Sequence, residues 1–254
     1  MSLSASQPAA ALRRSHVAGW ELLEFEVVDS TNFVAAQLGA WQAVRADTQT
    51  AGRGRFQRSW VSDAGGLWLS AVVPTGVDRS RWQALPLVAG LAVIQSLKGI
   101  GLTSARLRWP NDIMVNERKL AGLLVDTFKP QLAVIGLGVN VTNQPAAQDP
   151  ALKATSARLA DLVSPPPSLA TLTQAILDSL KSAMDVMAHA GFSALQPRIN
   201  ELWGGSRPVT IDLDGVQRSG LFTGIDEAGR LLMRDDILGA AAFEPHQVRL
   251  LREL

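Results

Sequence analysis

Three apolar, β-prone runs crowd the middle of the chain, at residues 106–109, 120–126 and 132–141, with the short turn signals Asn116-Glu117-Arg118 and Lys129-Pro130-Gln131 among them. A parallel crossover needs about a dozen residues or more, so runs this close must pair antiparallel. This stretch therefore commits the chain to a sheet with antiparallel strands at its centre. Around it, residues 21–28 read as an edge strand and 67–73 as a strand, while 80–98 carry helical apolar spacing. Asp29-Ser30-Thr31-Asn32 is a cluster of N-cap residue types ahead of a short helix closed by Gly39. After Pro165-Pro166-Pro167, Ser168 caps a helix to about residue 190, and a further helix ends near Trp203.

Beyond Gly204-Gly205 the pattern changes to short alternating strands with turns at Asp214-Gly215 and Glu227-Ala228-Gly229. The expected division is a flexible leader at 1–16, a main domain at 17–204 and a small β-barrel at 205–254. The class is α+β, a mixed or antiparallel sheet with helices and a small all-β tail.

Hydrophobic residues make up 47% of the 254, enough for a sizeable core. The 24 basic and 23 acidic residues nearly cancel, which argues against a nucleic-acid coat and against DNA as a partner. With no cysteine, disulfides, thiolate metal sites and cysteine nucleophiles are excluded. The longest apolar stretch, 85–94, is too short to span a bilayer, and the leader lacks the apolar core of a secretion signal. A soluble protein of the cytoplasm, with no membrane partner, is expected.

Chemistry concentrates in four segments. Residues 50–60 (TAGRGRFQRSW) interleave Arg53, Arg55 and Arg58 with Gly52 and Gly54. Glycines let backbone approach an anion, and guanidinium forks bind carboxylate or phosphate; a lone basic turn of this kind is otherwise a solvated one. Arg108-Trp109-Pro110-Asn111-Asp112 is by default a turn, and Lys119 by itself a strand-end surface residue, yet a lysine opening an apolar strand can neutralise a phosphoryl or carboxylate oxygen. Gly136 and Gly138 weaken a strand unless they form a bulge or something lies against it. The hydroxyls of Ser30 and Thr31 serve equally as helix caps. The three histidines have no catalytic partner in sequence, and no paired carboxylates or metal-ligand cluster stand out. The residues describe an anion-gathering site without an acid–base pair, which suits phosphoryl or adenylyl transfer.

Together and in order, DSTN, QTAGRGRFQRSW, RWPNDI, KLAGLLVD and GLGVNV resemble the catalytic domain of biotin–protein ligases, also called biotin–acetyl-CoA-carboxylase ligases, over roughly residues 24–141. The resemblance implies a class II synthetase-like catalytic domain with a small SH3-like C-terminal barrel. It implies activation of biotin by ATP with Mg²⁺ to biotinyl-AMP, then transfer to a lysine of the biotin carboxyl carrier protein of a biotin-dependent carboxylase, by a monomer or homodimer.

By position, Ser30, Thr31 and Gln49 would hydrogen-bond biotin's ureido ring, Asn32 and Gly52 would also bind biotin, and Arg53, Gly54 and Arg55 would lie in a loop folding over biotin and the adenylate. Lys119 would touch the carboxylate and the α-phosphate. Asp112 would orient the incoming lysine or bind Mg²⁺; Lys119, Arg55 and Asp112 form the catalytic set. Arg53, Arg58, Trp60, Asn111 and Asn140 would lie towards ATP, while Gly122, Gly136 and Gly138 would admit the ligand to the sheet. Metal ligands stay unassigned. Many relatives have lysine in place of Arg108 and glycine in place of Gln57. The 28 residues before Asp29 are too few for the DNA-binding winged helix some members carry, so no repressor function is expected. The rival readings are a lipoate–protein ligase and a non-catalytic sensor of biotin or biotinyl-AMP.

Overall fold

A computed structural model describes residues 11–75, 82–203, 205–235 and 239–254. Eight strands form the main sheet: β1 Arg13–Val17, β2 Trp20–Val28, β3 Gln42–Gln49, β4 Leu67–Pro74, β5 Arg106–Arg108, β6 Asp112–Val115, β7 Arg118–Lys129 and β8 Leu132–Val139. Their order across the sheet is β1-β2-β3-β4-β8-β7-β6-β5. Every neighbouring pair is antiparallel except β2 and β3. That parallel pair is joined by a crossover containing the five-residue helix α1, Thr31–Ala35.

Strand β2 is not an edge, because β1 pairs along it and covers it. Residues 11–16 belong to this ordered part of the chain, with Leu12 N donating to Glu24 O, rather than to a flexible leader; residues 1–10 of the expected leader lie outside the described residues. Strand β3 escaped the sequence reading because its QAVRADTQ run carries charge on one face and small residues on the other. The Asn111-Asp112 turn proved to lead directly into β6. The hairpin from β6 to β7 closes on Asn116 and Glu117, both at positive φ, the conformation two-residue hairpin turns require.

Alternation along β4 and β8 gives the sheet two different faces. Leu67, Leu69, Ala71 and Val73 of β4 join Ile135, Leu137 and Val139 of β8 in the main core, beneath two helices. These are α2, Leu85–Gly99, and α4, Leu169–Ala190, which carries an apolar stripe at Leu172, Ile176, Leu180, Ala183 and Met187. Residues 76–81, including the expected helix start near Ser80, lie outside the described residues. Ser168 caps α4 as its sequence foretold, accepting Thr171 N–H at 3.1 Å. Among the described residues, the opposite face holds a smaller cluster of Leu23, Phe25, Val28, Val44, Ala46, Val72 and Val134 with Ala35 of α1. Past that cluster the face is open, and there the cleft lies. A short helix, α3 at Pro145–Gln148, stands at its rim, and α5, Gln196–Glu201, precedes the tail.

The tail forms five strands, β9 Arg207–Leu213, β10 Val216–Ile225, β11 Leu231–Asp235, β12 Gly239–Phe243 and β13 Leu250–Glu253, in the order β12-β11-β10-β9-β13. Among the described residues it is an antiparallel sheet with β12 and β13 as its edges, not the closed barrel expected. It is stitched to the main layer by Trp203 against Phe222, with ring centroids 4.7 Å apart, and by Trp109 Nε1 donating to Gly229 O at 3.0 Å. No helix among the described residues is long and apolar enough to cross a membrane.

Candidate active site

Strand register lays the glycines of the motifs side by side on the open face. Gly138 pairs with Trp68 of β4 and with Gly122 of β7, and Gly122 pairs with Asp112 of β6. Two residues along, Gly136 sits between Ser70 and Leu124. The ladder is regular there, so no bulge explains these glycines. Close approach does: a Cβ on Gly138 would stand 2.6 Å from Trp60 Nε1, and one on Gly136 3.0 Å from Asn32 Cγ. Backbone surface left bare by three glycines thus forms a floor on which Trp60 and Asn32 rest.

The arginine–glycine loop folds back on itself over this floor. Trp60 N donates to Gly52 O at 2.9 Å and Gly54 N to Arg58 O at 2.7 Å, and Arg53 and Ser59 form an isolated bridge. Phe56 and Gln57 at its tip both have positive φ, 54° and 58°. Arg55 donates to the carbonyls of Pro245 and Val248 in the tail, so the loop tip is tied to the second sheet. Burial pushes the Arg55 guanidinium down to about 10, against the opposing pull of Asp112. Arg53 turns the other way, towards α1. Its guanidinium lies 4.0 Å over the Phe33 ring and 3.5 Å from Asp126 Oδ2. Gly52 lies behind Gln49, where any Cβ would meet the Trp60 carbonyl and the Ser62 hydroxyl.

One end of the cleft is ionic. Lys119 Nζ lies 2.6 Å from Asp112 Oδ1, and Arg108 donates to Asp112 Oδ2 at 3.0 Å. Burial alone would raise the Asp112 carboxyl, but Lys119 and Arg108 more than reverse this and hold it below the usual aspartate range. Lys119 Nζ also stands 4.9 Å from the Trp60 ring centroid. Its backbone is pinned at Thr155 O and Ala157 N, which brings the 152–156 segment up as a wall. Asn111 and Asn140 brace the walls, donating to Leu123 O at 2.7 Å and Ala157 O at 3.1 Å.

The other end is neutral and hydrogen-bonded. Gln49 Oε1 accepts Thr31 N–H at 2.8 Å and lies 3.1 Å from Thr31 Oγ1, while Gln49 Nε2 donates to Ser62 Oγ at 2.8 Å. Ser70 Oγ, fully buried, lies 2.7 Å from Thr31 Oγ1 and 2.6 Å from Asn32 Oδ1. Asn32 Nδ2 donates to Asp126 Oδ2 at 2.8 Å. Ser30 is buried at the start of α1, its side chain capping nothing.

These parts enclose a cleft of about 360 Å³. Of the residues singled out in sequence, Ser30, Thr31, Asn32, Gln49, Arg53, Gly54, Arg55, Arg58, Trp60, Asn111, Asp112, Lys119, Gly122, Gly136, Gly138 and Asn140 all line it; Gly52 does not. Among the described residues, Asp112 is the one acidic residue lining the cleft. Sequence reasoning missed Ser70, Ser62, Phe33 and Asp126 behind the neutral end, and Leu152, Thr155, Ser156 and Arg249–Leu251 on the rim. Asp126 had a faint signal, a lone acid closing the apolar run LLVD, but its partners lie on other elements. The rim residues carried none.

The sequence profile of the Biotin/lipoate A/B protein ligase family matches residues 24–140. The chain is 35% identical over 231 residues to the Biotin–[acetyl-CoA-carboxylase] ligase of Mycobacterium tuberculosis, covering 85% of this chain and 84% of that protein. It is 32% identical to the Paracoccus denitrificans protein of the same name, covering 81% and 91%. Among solved structures, the biotin protein ligase of Aquifex aeolicus in complex with biotin and ATP superposes with a TM-score of 0.82 at 25% identity, covering 92% of this chain and 99% of that one.

Proposed function

The chain belongs to the biotin/lipoate A/B protein ligase family, and on that footing we propose that it activates biotin with ATP and transfers it to a carrier lysine. The observation that carries the reading is the polarity of the cleft. A neutral hydrogen-bonding end at Thr31, Gln49 and Asn32 is joined across a bare glycine floor to a cationic end at Lys119, Arg108, Arg55 and Arg58. Biotin has the same polarity, a neutral cyclic urea at one end and a carboxylate at the other.

In the first step a biotin carboxylate oxygen attacks the α-phosphorus of ATP. A new acyl–O–P bond forms, the bond to pyrophosphate breaks, and pyrophosphate leaves with its electron pair. Two anions must meet for this, and Lys119, Arg55 and Arg58 offset their repulsion. Lys119 lies beside both Asp112 and the glycine floor, where it would bridge the carboxylate and the α-phosphate. Trp60 offers its indole face to the nucleotide, and Asn111 and Asn140 hold the walls near it. In the second step the carrier amine attacks the acyl carbon of biotinyl-AMP, AMP leaves, and the amine gives up a proton. Asp112, ionised between Lys119 and Arg108, is the carboxylate to orient that amine.

Mg²⁺ would arrive with the triphosphate. No cluster of three or more potential ligating side chains occurs among the described residues, and Mg²⁺ is typically held by one or two carboxylates plus substrate phosphates. Asp112 would contribute such a carboxylate once the phosphates draw Lys119 or Arg108 away. The carrier would be the biotin carboxyl carrier protein of a biotin-dependent carboxylase, and the compartment implied is the cytoplasm, where ATP and such carriers meet.

The test is pyrophosphate release with ATP and Mg²⁺ in the presence of biotin, lipoate or no acid. Release with biotin alone supports the reading. Release with lipoate moves the substrate to the other branch of the family. Biotin binding without release would mean a sensor.

A further inference from the structure

We propose that Arg249, a residue of the tail, binds the β- and γ-phosphates of ATP and holds pyrophosphate as it leaves. The proposal rests on the adenylation reading and gives the second sheet a binding residue in that reaction.

The existing partners of the cleft's cations single Arg249 out. Among the described residues, six basic side chains line the cleft: Arg53, Arg55, Arg58, Arg108, Lys119 and Arg249. Four of them are engaged within its walls. Arg108 and Lys119 share Asp112, Arg53 lies against Phe33 and Asp126, and Arg55 donates to the Pro245 and Val248 carbonyls. Arg58 and Arg249 are exposed. Arg249 pairs with Asp214 in the turn between β9 and β10, but the two side chains are 52% and 76% exposed. Water and salt screen such a pair, so a polyphosphate arriving in the cleft takes Arg249 from it at little cost.

The direction of the reaction points to the same residue. In phosphoryl and adenylyl transfer the attacking and leaving oxygens stand roughly in line across the phosphorus. Biotin's carboxylate comes from the neutral end, so pyrophosphate must leave past the ionic end. The tail stands there. Arg106 of β5 donates to Glu253 of β13 at 2.6 Å, and Arg55 is tied to Val248, the residue before Arg249. The Phe56 ring lies between the two guanidinium groups, with Arg55 Cζ 4.8 Å and Arg249 Cζ 5.5 Å from its centroid. Cations thus continue from Lys119 through Arg55 to Arg249, away from the neutral end. Guanidinium forks suit phosphate oxygens, and the β- and γ-phosphates need counter-charge that Lys119, placed at the α-phosphate, does not supply.

The experiment compares the wild type with Arg249→Gln and Asp214→Asn, measuring pyrophosphate release against ATP and biotin and inhibition by pyrophosphate and by AMP. Arg249→Gln should raise KM for ATP by roughly 5- to 30-fold, the scale of a charged hydrogen bond discounted for its exposure. The inhibition constant of pyrophosphate should rise by a similar factor. The outer phosphates carry their charge before and after the step, so kcat should stay within about 3-fold of wild type. AMP lacks those phosphates, and its inhibition, like KM for biotin, should not move. Asp214→Asn removes only the competing carboxylate and should leave KM for ATP unchanged or lower it. Both side chains are exposed, so melting temperatures near that of the wild type are expected. Unchanged ATP and pyrophosphate constants in Arg249→Gln overturn the proposal. So does an equal loss of ATP and AMP, or a rise in Asp214→Asn as large as in Arg249→Gln, since either would mark a structural role. A wild type that answers to lipoate in place of biotin overturns the biotin reading alone, because the ATP and pyrophosphate constants are then read with lipoate. Silence with every acid overturns both.

Discussion

Lys119 Nζ rests 2.6 Å from Asp112 Oδ1, so the main cation of the ionic end is already paired before any anion arrives. Incoming carboxylate or phosphate must draw Lys119 away from Asp112, and Arg108 remains to keep the aspartate ionised. Lys119→Ala should lower the rate of adenylation by roughly 10²–10³, the scale of losing one charge-stabilising contact in a transition state. Single-turnover formation of the acyl-adenylate reads this directly. A rate within a few-fold of wild type would remove Lys119 from the reaction.

Gly138→Ala places a methyl group 2.6 Å from Trp60 Nε1 and 2.8 Å from Cε2, too close for the indole to stay. Stability should fall by about 1–3 kcal/mol, as for other overpacked sites. The Trp60 ring should leave the floor, and KM for ATP should rise more than KM for biotin. Denaturant melts and the two KM values check this; an unshifted ATP KM would deny Trp60 a nucleotide contact.

Gln57 sits at φ 58° at the loop tip, in the left-handed region that favours glycine. Gln57→Gly should therefore raise stability by up to about 1 kcal/mol, relief of strain being partly offset by the entropy of the unfolded chain. Amide exchange over residues 51–59 should be fast without ligand and slow when biotin and ATP bind. Strong protection in the free protein would contradict that second expectation.

Glu253 joins the two sheets, hydrogen-bonded by Arg106 at 2.6 Å and Arg207 at 3.0 Å. Burial alone would raise its carboxyl; Arg106, then Arg207, hold it below the ordinary 4.5. A depressed carboxyl stabilises the fold above its unfolded value and loses that contribution as pH falls through the folded one. Glu253→Gln should cost about 1–3 kcal/mol at neutral pH. The difference from wild type should shrink well below pH 4.5. Equal melting of the two proteins at neutral pH would show the cluster to be inert.

What was legible in the sequence followed from local rules. The antiparallel middle came from turn spacing, α4 from its Ser168 cap and apolar stripe, and the glycine floor from Gly136 and Gly138 in a strand. Strand β3 was hidden because its charged residues find partners only after folding, Arg45 on Glu24 of the neighbouring strand. The leader was misread from residue 11 on, since β1 has little apolar signal of its own and exists by pairing with β2. In the site, the cleft-facing residues that lie in the motifs were found through them, whereas the rim residues Leu152, Thr155, Ser156 and Arg249 to Leu251, and Ser70 behind the neutral end, were not. Their place depends on how segments distant in sequence come together, which one chain read alone does not disclose.

Arg55 reaches from the arginine–glycine loop to hold the carbonyls of Pro245 and Val248, and Arg249 to Leu251 close one side of the cleft. The tail is therefore not an interchangeable module. Exchanging it for a homologous one would graft a new wall and a new anchor for the arginine loop at the same time. Chimaeras cut at the 203–205 junction should inherit their nucleotide preference from both parents, and breeding the halves separately would select each against a surface it never meets.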